Sequence, residues 1–418
     1  MSLLDTLRGK VKLPVVAARP SVVSWNLTAA CNLHCPHCYL DAGRRRDTEL
    51  STADALRVVD ELGDAGTELL ILTGGEPLLR ADLYELAERA TARGMVVVLG
   101  SNGVLLDEDV AQRLVRAGVR GVGLSLDSTD AAKHDAFRGV PGAWARTMRA
   151  IEVCRAAGLE VVLQTTLMEW NLAELDDLIA VARAKGVHAF NAYFLVCTGR
   201  GEQLSGLAPA QYEASLEALV EGQKSLLGTL MLRAKCAPHA ARIASERGVP
   251  MAGSTGCIAG RSYLRIGPEG EVTPCPYLPQ VLGNVRDGGL ASLWADSPAL
   301  ETLRARELSG RCGRCEYVDV CGGCRARALA TSGDVTAEDP WCTYEPPPGA
   351  RRNAVAVAWT PDALLRLERV PGFIRDRMKL GLEAHARARG MTAVTPELMA
   401  EIRRNMGGHP FGGRPGVE

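Results

Sequence analysis

The sequence lacks an excess of charge of either sign: 48 Lys and Arg residues face 49 Asp and Glu, a formal net charge of −1 at pH 7. That balance leaves no electrostatic footprint for nucleic acid, and 47% hydrophobic residues is too many for a disordered chain. Lysine is scarce, since 41 of the basic residues are Arg. No apolar run approaches the length of a membrane span. Residues 1–20 carry Arg8, Lys10 and Lys12 but no apolar core of signal-peptide length. A cytoplasmic protein with no membrane span and no nucleic-acid partner is therefore expected.

What the chain does have is cysteine, thirteen residues of it. In a reducing compartment that number points to metal or redox chemistry rather than disulfides. Ten fall into two groups, and only Cys154, Cys197 and Cys236 stand apart. The first group lies in Cys31-Asn-Leu-His-Cys35-Pro-His-Cys38-Tyr-Leu40, with three and then two residues between the cysteines. Thiolates at such spacing hold iron–sulfur clusters. A cube of four irons held by three cysteines leaves one iron open to a small ligand bearing nitrogen and oxygen. A structural zinc site is the alternative, with His34 or His37 as a fourth ligand.

Strand and helix patterns alternate around this stretch. Strands are expected at 22–27, 69–72, 95–99, 122–126, 159–166 and 189–196, with helices near 52–63, 83–93, 107–117, 144–157 and 172–185. Six strand–helix units in succession favour a parallel sheet with right-handed crossovers. The run Leu69-Leu-Ile-Leu72 reads as a strand buried on both faces. Chemistry then belongs in the loops after the strands. The second strand is followed by Gly74-Gly75-Glu76-Pro77, where paired glycines admit a close backbone approach and a carboxylate can meet an ammonium group.

Together, Cys31, Cys35, Cys38 and the Gly-Gly-Glu-Pro segment resemble the radical S-adenosylmethionine (SAM) enzymes. The resemblance implies an open partial (β/α)6 barrel and one SAM-binding [4Fe–4S] cluster. Cys31, Cys35 and Cys38 would be its ligands and the catalytic centre, and SAM would be cleaved to methionine and a 5′-deoxyadenosyl radical. It also implies that Gly74, Gly75 and Glu76 receive the SAM amino group. Asn102, Ser125 and Asp127, at the ends of the third and fourth strands, would lie near the ribose and carboxylate, with Arg138 a carboxylate partner. Solvent-facing strand ends remain the alternative for these polar residues.

The second cysteine group runs from Cys257 through Cys275, Cys312, Cys315, Cys321 and Cys324 to Cys342. Tyr263–Ile266, the turn 267–270 and Glu271–Thr273 read as a β-hairpin within it. The cysteine order resembles the SPASM domain, which carries auxiliary iron–sulfur clusters. By that resemblance Cys312, Cys315, Cys321 and Cys342 would hold an outer cluster. Cys257, Cys275 and Cys324 would hold an inner one, completed by Cys236 or left with an open iron. The family commonly places three residues where this chain has only Gly322 and Gly323. Two C-x2-C pairs would also suit zinc.

The expected organisation is an N-terminal tail (1–20), the barrel (21–205), a helical linker (206–250), the SPASM-type domain (251–345), a Pro-rich linker (346–352) and a small helical module (353–418). The last resembles a C-terminal module of light-independent protochlorophyllide reductase; a bland docking module is the alternative. Between Val22 and Glu345, segments such as Gly256-Cys-Ile-Ala-Gly260 and Thr273-Pro-Cys-Pro-Tyr277 resemble the SPASM enzymes of haem and haem d1 biosynthesis. That resemblance implies oxidative decarboxylation of the propionates of iron-coproporphyrin III to give haem b, with ferredoxin or flavodoxin as electron donor. Arg200, Arg261 and Arg265 are candidate propionate partners, and Cys197, after the sixth strand, is a candidate catalytic or metal-binding thiol. Surface ion pairs and a buried inert thiol are the plain alternatives. The rival activity is maturation of a ribosomally made peptide or of an enzyme, against which only some twenty residues precede the barrel.

Overall fold

The structure, a computed structural model, describes residues 19–249 apart from 205 and 227, then 256–350, then 357–405 with short gaps between 371 and 392. Arg8, Lys10 and Lys12 lie outside the described residues.

Six strands, β1 (Val22–Asn26), β2 (Leu69–Thr73), β3 (Val96–Ser101), β4 (Gly121–Ser125), β5 (Glu160–Leu167) and β6 (Ala189–Phe194), pair in parallel in chain order. Helices connect them as the periodicity requires. In the helix Thr52–Asp64 the Ser51 hydroxyl accepts the Asp54 N–H, while Ala55, Val58, Val59 and Leu62 form one buried face. Asp82 stands at the N-terminus of the next helix, Leu83–Ala92, without a side-chain capping bond. Its carboxylate binds the Arg80 guanidinium at 2.6 and 3.0 Å. A further helix, Ala131–Arg138, has no clear apolar period in the sequence; it delivers Arg138 to the site.

The strands are not buried alike on both faces. Along β2, β3 and β5, buried residues alternate with half-buried ones. Leu70, Leu72, Val97, Leu99, Val161 and Leu163 face the helices and are at most 1% exposed. Removing such a leucine side chain to alanine typically costs about 2–5 kcal/mol. The opposite face, including Leu69, Ile71, Val98 and Val162, lines a cavity of about 1300 Å³ inside the barrel. The continuous apolar run at 69–72 therefore packs a core on one side and walls an internal space on the other.

The segment 206–250 is not wholly helical. A seventh strand, β7 (Met231–Lys235), extends the sheet parallel to β6. Leu232 and Ala234 are buried beneath helix Pro209–Ser225 while Met231, Arg233 and Lys235 face the cavity. Five residues with one apolar alternation are a weak sequence signal, and sheet pairing decides them. At the other edge the expected hairpin, β8 (Tyr263–Ile266) with β9 (Glu271–Thr273), adds to β1 in parallel, and β10 (Gly283–Asn284) follows. One ten-stranded sheet thus runs through barrel and cysteine-rich segment.

The C-terminal segment holds helices Pro361–Glu368 and Pro396–Asn405 and also a two-stranded parallel sheet, Ala358–Trp359 with Ala393–Val394. It has its own small core of Val357, Ala363, Leu382, Ala386, Val394, Leu398 and Ile402. Met378, Leu382, His385 and Met399 reach the wall of the barrel cavity.

Candidate active site

Cys31, Cys35 and Cys38 lie in the loop after β1, and all three line the cavity. Each sulfur meets a donor: the Leu33 N–H reaches Cys31 Sγ at 3.4 Å, the Ala42 N–H reaches Cys38 Sγ at 3.4 Å, and Arg138 Nη1 reaches Cys35 Sγ at 3.6 Å. Burial pushes Cys31 up to about 11 against the pull of the Leu33 N–H, and negative charge on Glu76, Cys35 and Cys38 adds to the rise. Three thiolates so placed repel one another and call for cations between them. Among the described residues no three Cys, His, Asp or Glu side chains close on a single-ion site. A cubane does not ask for that, because each thiolate meets a different iron. The donor set, with hydrogen bonds already aimed at the sulfurs, fits such a cluster. His37 stacks on Phe137 with ring centroids 4.8 Å apart, and burial, then Arg138, lowers its pKa to about 4.

Gly74 and Gly75 bring β2's end against the backbone of the cysteine loop. Gly75 N–H donates to Thr28 O at 2.8 Å and Glu76 N–H to Ala30 O at 2.8 Å. A Cβ on Gly75 would lie 2.2 Å from Ala30 O, and Gly74 has φ +152° with Thr28 O 2.6 Å from any Cβ. The close approach those glycines permit is first to the chain's own loop, with both glycines also lining the cavity. The Glu76 carboxylate turns inward. It is fully buried and accepts from Ser101 Oγ at 3.0 and 3.1 Å, Asn102 N–H at 2.9 Å and Leu78 N–H at 3.2 Å. Burial raises its pKa to about 7 despite those donors. It therefore braces the start of the third-strand loop, and Asn102 Nδ2, bonded to Asn32 Oδ1 at 2.8 Å, ties that loop to the cysteines.

Ser125 and Arg138 face the cavity. Asp127 does so only through Arg138: it is fully buried, ion-pairs with the guanidinium and accepts the Thr166 N–H at 2.9 Å. Burial pushes the Asp127 carboxyl up, but Arg138, His37 and His134 outweigh it and the net shift is downward. Arg138 is thereby held charged beside Cys35.

The expected propionate partners are otherwise engaged. Arg200 donates to Cys35 O at 3.2 Å, Ala42 O at 2.7 Å and Asp41 Oδ1 at 3.0 Å, pinning the cysteine loop from the loop after β6. Gly199, at φ +58°, lets that loop lie against Cys38 O and Tyr39 O. Arg265 binds Asn26 Oδ1 at 2.6 Å and ion-pairs with Glu271 at 3.2 Å, and neither Arg261 nor Arg265 lines the cavity. Sequence cannot separate a stapling arginine from a binding one: Arg200 stands in a loop and Arg265 in β8, and neither setting reveals the partner. Cys197 also lies outside the cavity lining, its Sγ 3.5 Å from Leu204 O.

The second cysteine group divides into two sites. Cys312, Cys315, Cys321 and Cys342 line a separate small pocket. Cys257, Cys275 and Cys324 line the large cavity, and Cys236 joins them there. Burial pushes Cys236 up to about 12, and the charges of Cys324 and Cys257 push the same way. Cys275 is raised by burial and then by Cys257, Cys324 and Cys236. The lone Cys236 thus shares the cavity wall with those three; twenty residues of intervening chain separate it from Cys257. Gly322 and Gly323, at φ +67° and +59°, turn the backbone so that Cys321 faces one site and Cys324 the other. Asp339, fully buried, accepts the Cys324 N–H at 2.7 Å and ion-pairs with Arg327 at 2.9 Å.

Comparison with known proteins adds to this geometry. Residues 25–182 match the Radical SAM superfamily, 257–325 the SPASM iron–sulfur cluster-binding domain, and 359–403 the proto-chlorophyllide reductase 57 kD subunit family. The chain is 40% identical over 346 residues to the AdoMet-dependent heme synthase of Methanosarcina barkeri, covering 78% of this chain and 97% of that one. It is 34% identical over 333 residues to the mycofactocin maturase MftC of Mycobacterium ulcerans, covering 77% and 88%. The crystal structure of Streptococcus suis SuiB bound to S-adenosylmethionine shares the fold, with a TM-score of 0.65 at 16% identity over 81% of each chain.

Proposed function

This chain belongs to the radical SAM family, in the SPASM-bearing group that includes AdoMet-dependent heme synthase, and from that premise we propose that it decarboxylates propionate side chains of a tetrapyrrole. It is an enzyme that uses SAM and iron–sulfur clusters. The proposed substrate is iron-coproporphyrin III and the proposed product haem b; each reacting propionate loses CO2, one hydrogen atom and one electron and becomes a vinyl group. The observation that carries this reading is the identity to the heme synthase over nearly its whole length. The cavity supports it: barrel strands wall a space of about 1300 Å³ that is apolar at Ile71, Val98 and Val162 and polar along rows such as Ser125, Gln164 and Asn191.

Cys31, Cys35 and Cys38 would hold the SAM-binding cluster. When bound, cluster and SAM supply a one-electron reduction and a hydrogen-abstracting radical. Arg138 keeps a fixed positive charge at the cysteine loop and presents it toward the expected SAM carboxylate, with Ser125 alongside. Arg200 and the loop after β6 hold the cysteine loop's shape. Cys312, Cys315, Cys321 and Cys342 would hold the outer auxiliary cluster, and Cys257, Cys275 and Cys324 with Cys236 the inner one. A ferredoxin or flavodoxin would deliver electrons.

The test is anaerobic: reduced protein with SAM and iron-coproporphyrin III should yield porphyrin lighter by about 46 mass units per propionate, the mass of CO2 and two hydrogens. The relation to the mycofactocin maturase favours a second reading, modification of a peptide. If porphyrin mass is unchanged while a peptide loses mass or gains a crosslink, that reading replaces the first.

A further inference from the structure

Arg233 stands in the middle of β7 and faces the barrel cavity. In the sheet it is paired with Asn191 of β6, Asn191 with Gln164 of β5, and Gln164 with Ser125 of β4. All four line the cavity. They form one polar row across four parallel strands, ~14 Å from end to end at the usual strand spacing of ~4.8 Å. The row begins at Ser125, on the side expected to meet SAM, and ends at a guanidinium.

That guanidinium lacks an anion. Among the described residues Arg233 enters no ion pair; one N–H reaches the Met231 sulfur at 3.5 Å, and its Nε has no partner. Glu160, whose charge reaches Arg233, is itself paired with Arg120 at 2.9 Å. Burial lowers the Arg233 pKa, yet an arginine keeps its proton under all ordinary conditions. In the same row the Asn191 side-chain oxygen is buried and unpartnered, while its side chain also bonds Tyr193. Arg233 is half-buried with its Nε shut off from solvent, and a cation so placed without a counter-charge is unfavourable. A guanidinium facing the cavity without an anion therefore marks the place of a carboxylate that arrives with a ligand.

We propose that Arg233 anchors a propionate of the bound tetrapyrrole, with Asn191 beside it, at the far side of the barrel from Ser125. The assignment rests on the tetrapyrrole reading above. SAM also brings a carboxylate, but Arg138 and Ser125 already wait for it three strands away. Arg233 is thus a binding residue for a propionate that does not react, fixing the macrocycle so that another faces the cysteine loop.

The experiment uses anaerobically reconstituted full-length protein. Iron-coproporphyrin III, its tetramethyl ester and SAM are titrated separately against wild type, Arg233→Met and Arg233→Lys, with iron content checked for each. Wild type should prefer the free acid to the ester. Arg233→Met should weaken free-acid binding by about 10- to 100-fold and erase that preference. Arg233→Lys should recover part of it, and SAM affinity should hold throughout. The acid-to-ester ratio is internal to each variant, so partial misfolding does not mimic the result. Unchanged discrimination in Arg233→Met overturns the anchor and leaves the proposed function standing. Loss of SAM affinity with porphyrin binding intact assigns the cation to SAM and likewise overturns it. A wild type that binds neither porphyrin overturns the proposed function itself, and this assignment with it.

Discussion

The guanidinium of Arg138 is ion-paired with the fully buried carboxylate of Asp127, and its other nitrogen lies 3.6 Å from the sulfur of Cys35. The buried carboxylate thus holds a positive charge, borne at the end of one helix, against the cysteine loop. Asp127→Ala would strand the guanidinium, and unfolding free energy is expected to fall by about 3–5 kcal/mol. Adding Arg138→Met should restore part of it. Asp127 has a folded pKa below its unfolded value, so its contribution is full above that unfolded value, about 3.9, and is lost as pH falls through the lower folded one. Denaturation of the two variants at neutral pH checks the pair; a loss no larger than for a surface substitution refutes it.

Glu76 carries the opposite sign. Burial raises its pKa from 4.5 to about 7, so the folded chain binds this proton more tightly than the unfolded one. Its contribution is full below the unfolded value and is lost as pH rises through about 7. The stability difference between wild type and Glu76→Gln should therefore change across that window and flatten above it. Thermal unfolding from about pH 5 to 8 reads this; a pH-independent difference would falsify the buried-proton account.

Iron counting tests the three cysteine sites. Reconstituted protein should hold about twelve irons per chain if all three clusters are [4Fe–4S]. Replacing Cys31, Cys35 and Cys38 by Ala should remove about four and abolish SAM cleavage. Cys236→Ala should alter the inner cluster's EPR signal and leave that of the SAM cluster intact. Stoichiometric zinc with about four irons would sink the auxiliary assignment.

Arg200 separates stapling from substrate binding. Its hydrogen bonds to Cys35 O and Ala42 O predict that Arg200→Met loses SAM-cluster iron, up to about four per chain. Affinity for iron-coproporphyrin III should shift less than about threefold. Retained iron with a large loss of porphyrin affinity would return Arg200 to the substrate.

How much could be read in advance differs by element. The barrel strands and helices announced themselves through apolar period, because a parallel strand against helices needs one continuous apolar face. β7 did not, since Met231–Lys235 has only two core-facing residues and owes its conformation to pairing with β6. The helix Ala131–Arg138 was missed for a like reason: its buried residues are His134 and Arg138, which no hydrophobic pattern reveals.

The chemistry of the cysteines was determined by the sequence alone. Cys31, Cys35 and Cys38 are close in the chain, so their joint use of one cluster follows from local geometry that survives any packing around it. The same holds for Gly74 and Gly75, which no other residue type could replace against Thr28 O and Ala30 O. Tertiary structure alone decided which charges are spent and which are kept. Arg200, Arg233, Arg261 and Arg265 are alike as residues in a sequence. Three-dimensional packing gives Arg200 to the cysteine loop and Arg265 to Glu271, takes Arg261 out of the cavity lining, and leaves Arg233 facing that cavity without an anion. The cost of burying a charge depends on what else is buried with it, and only the folded chain sets that.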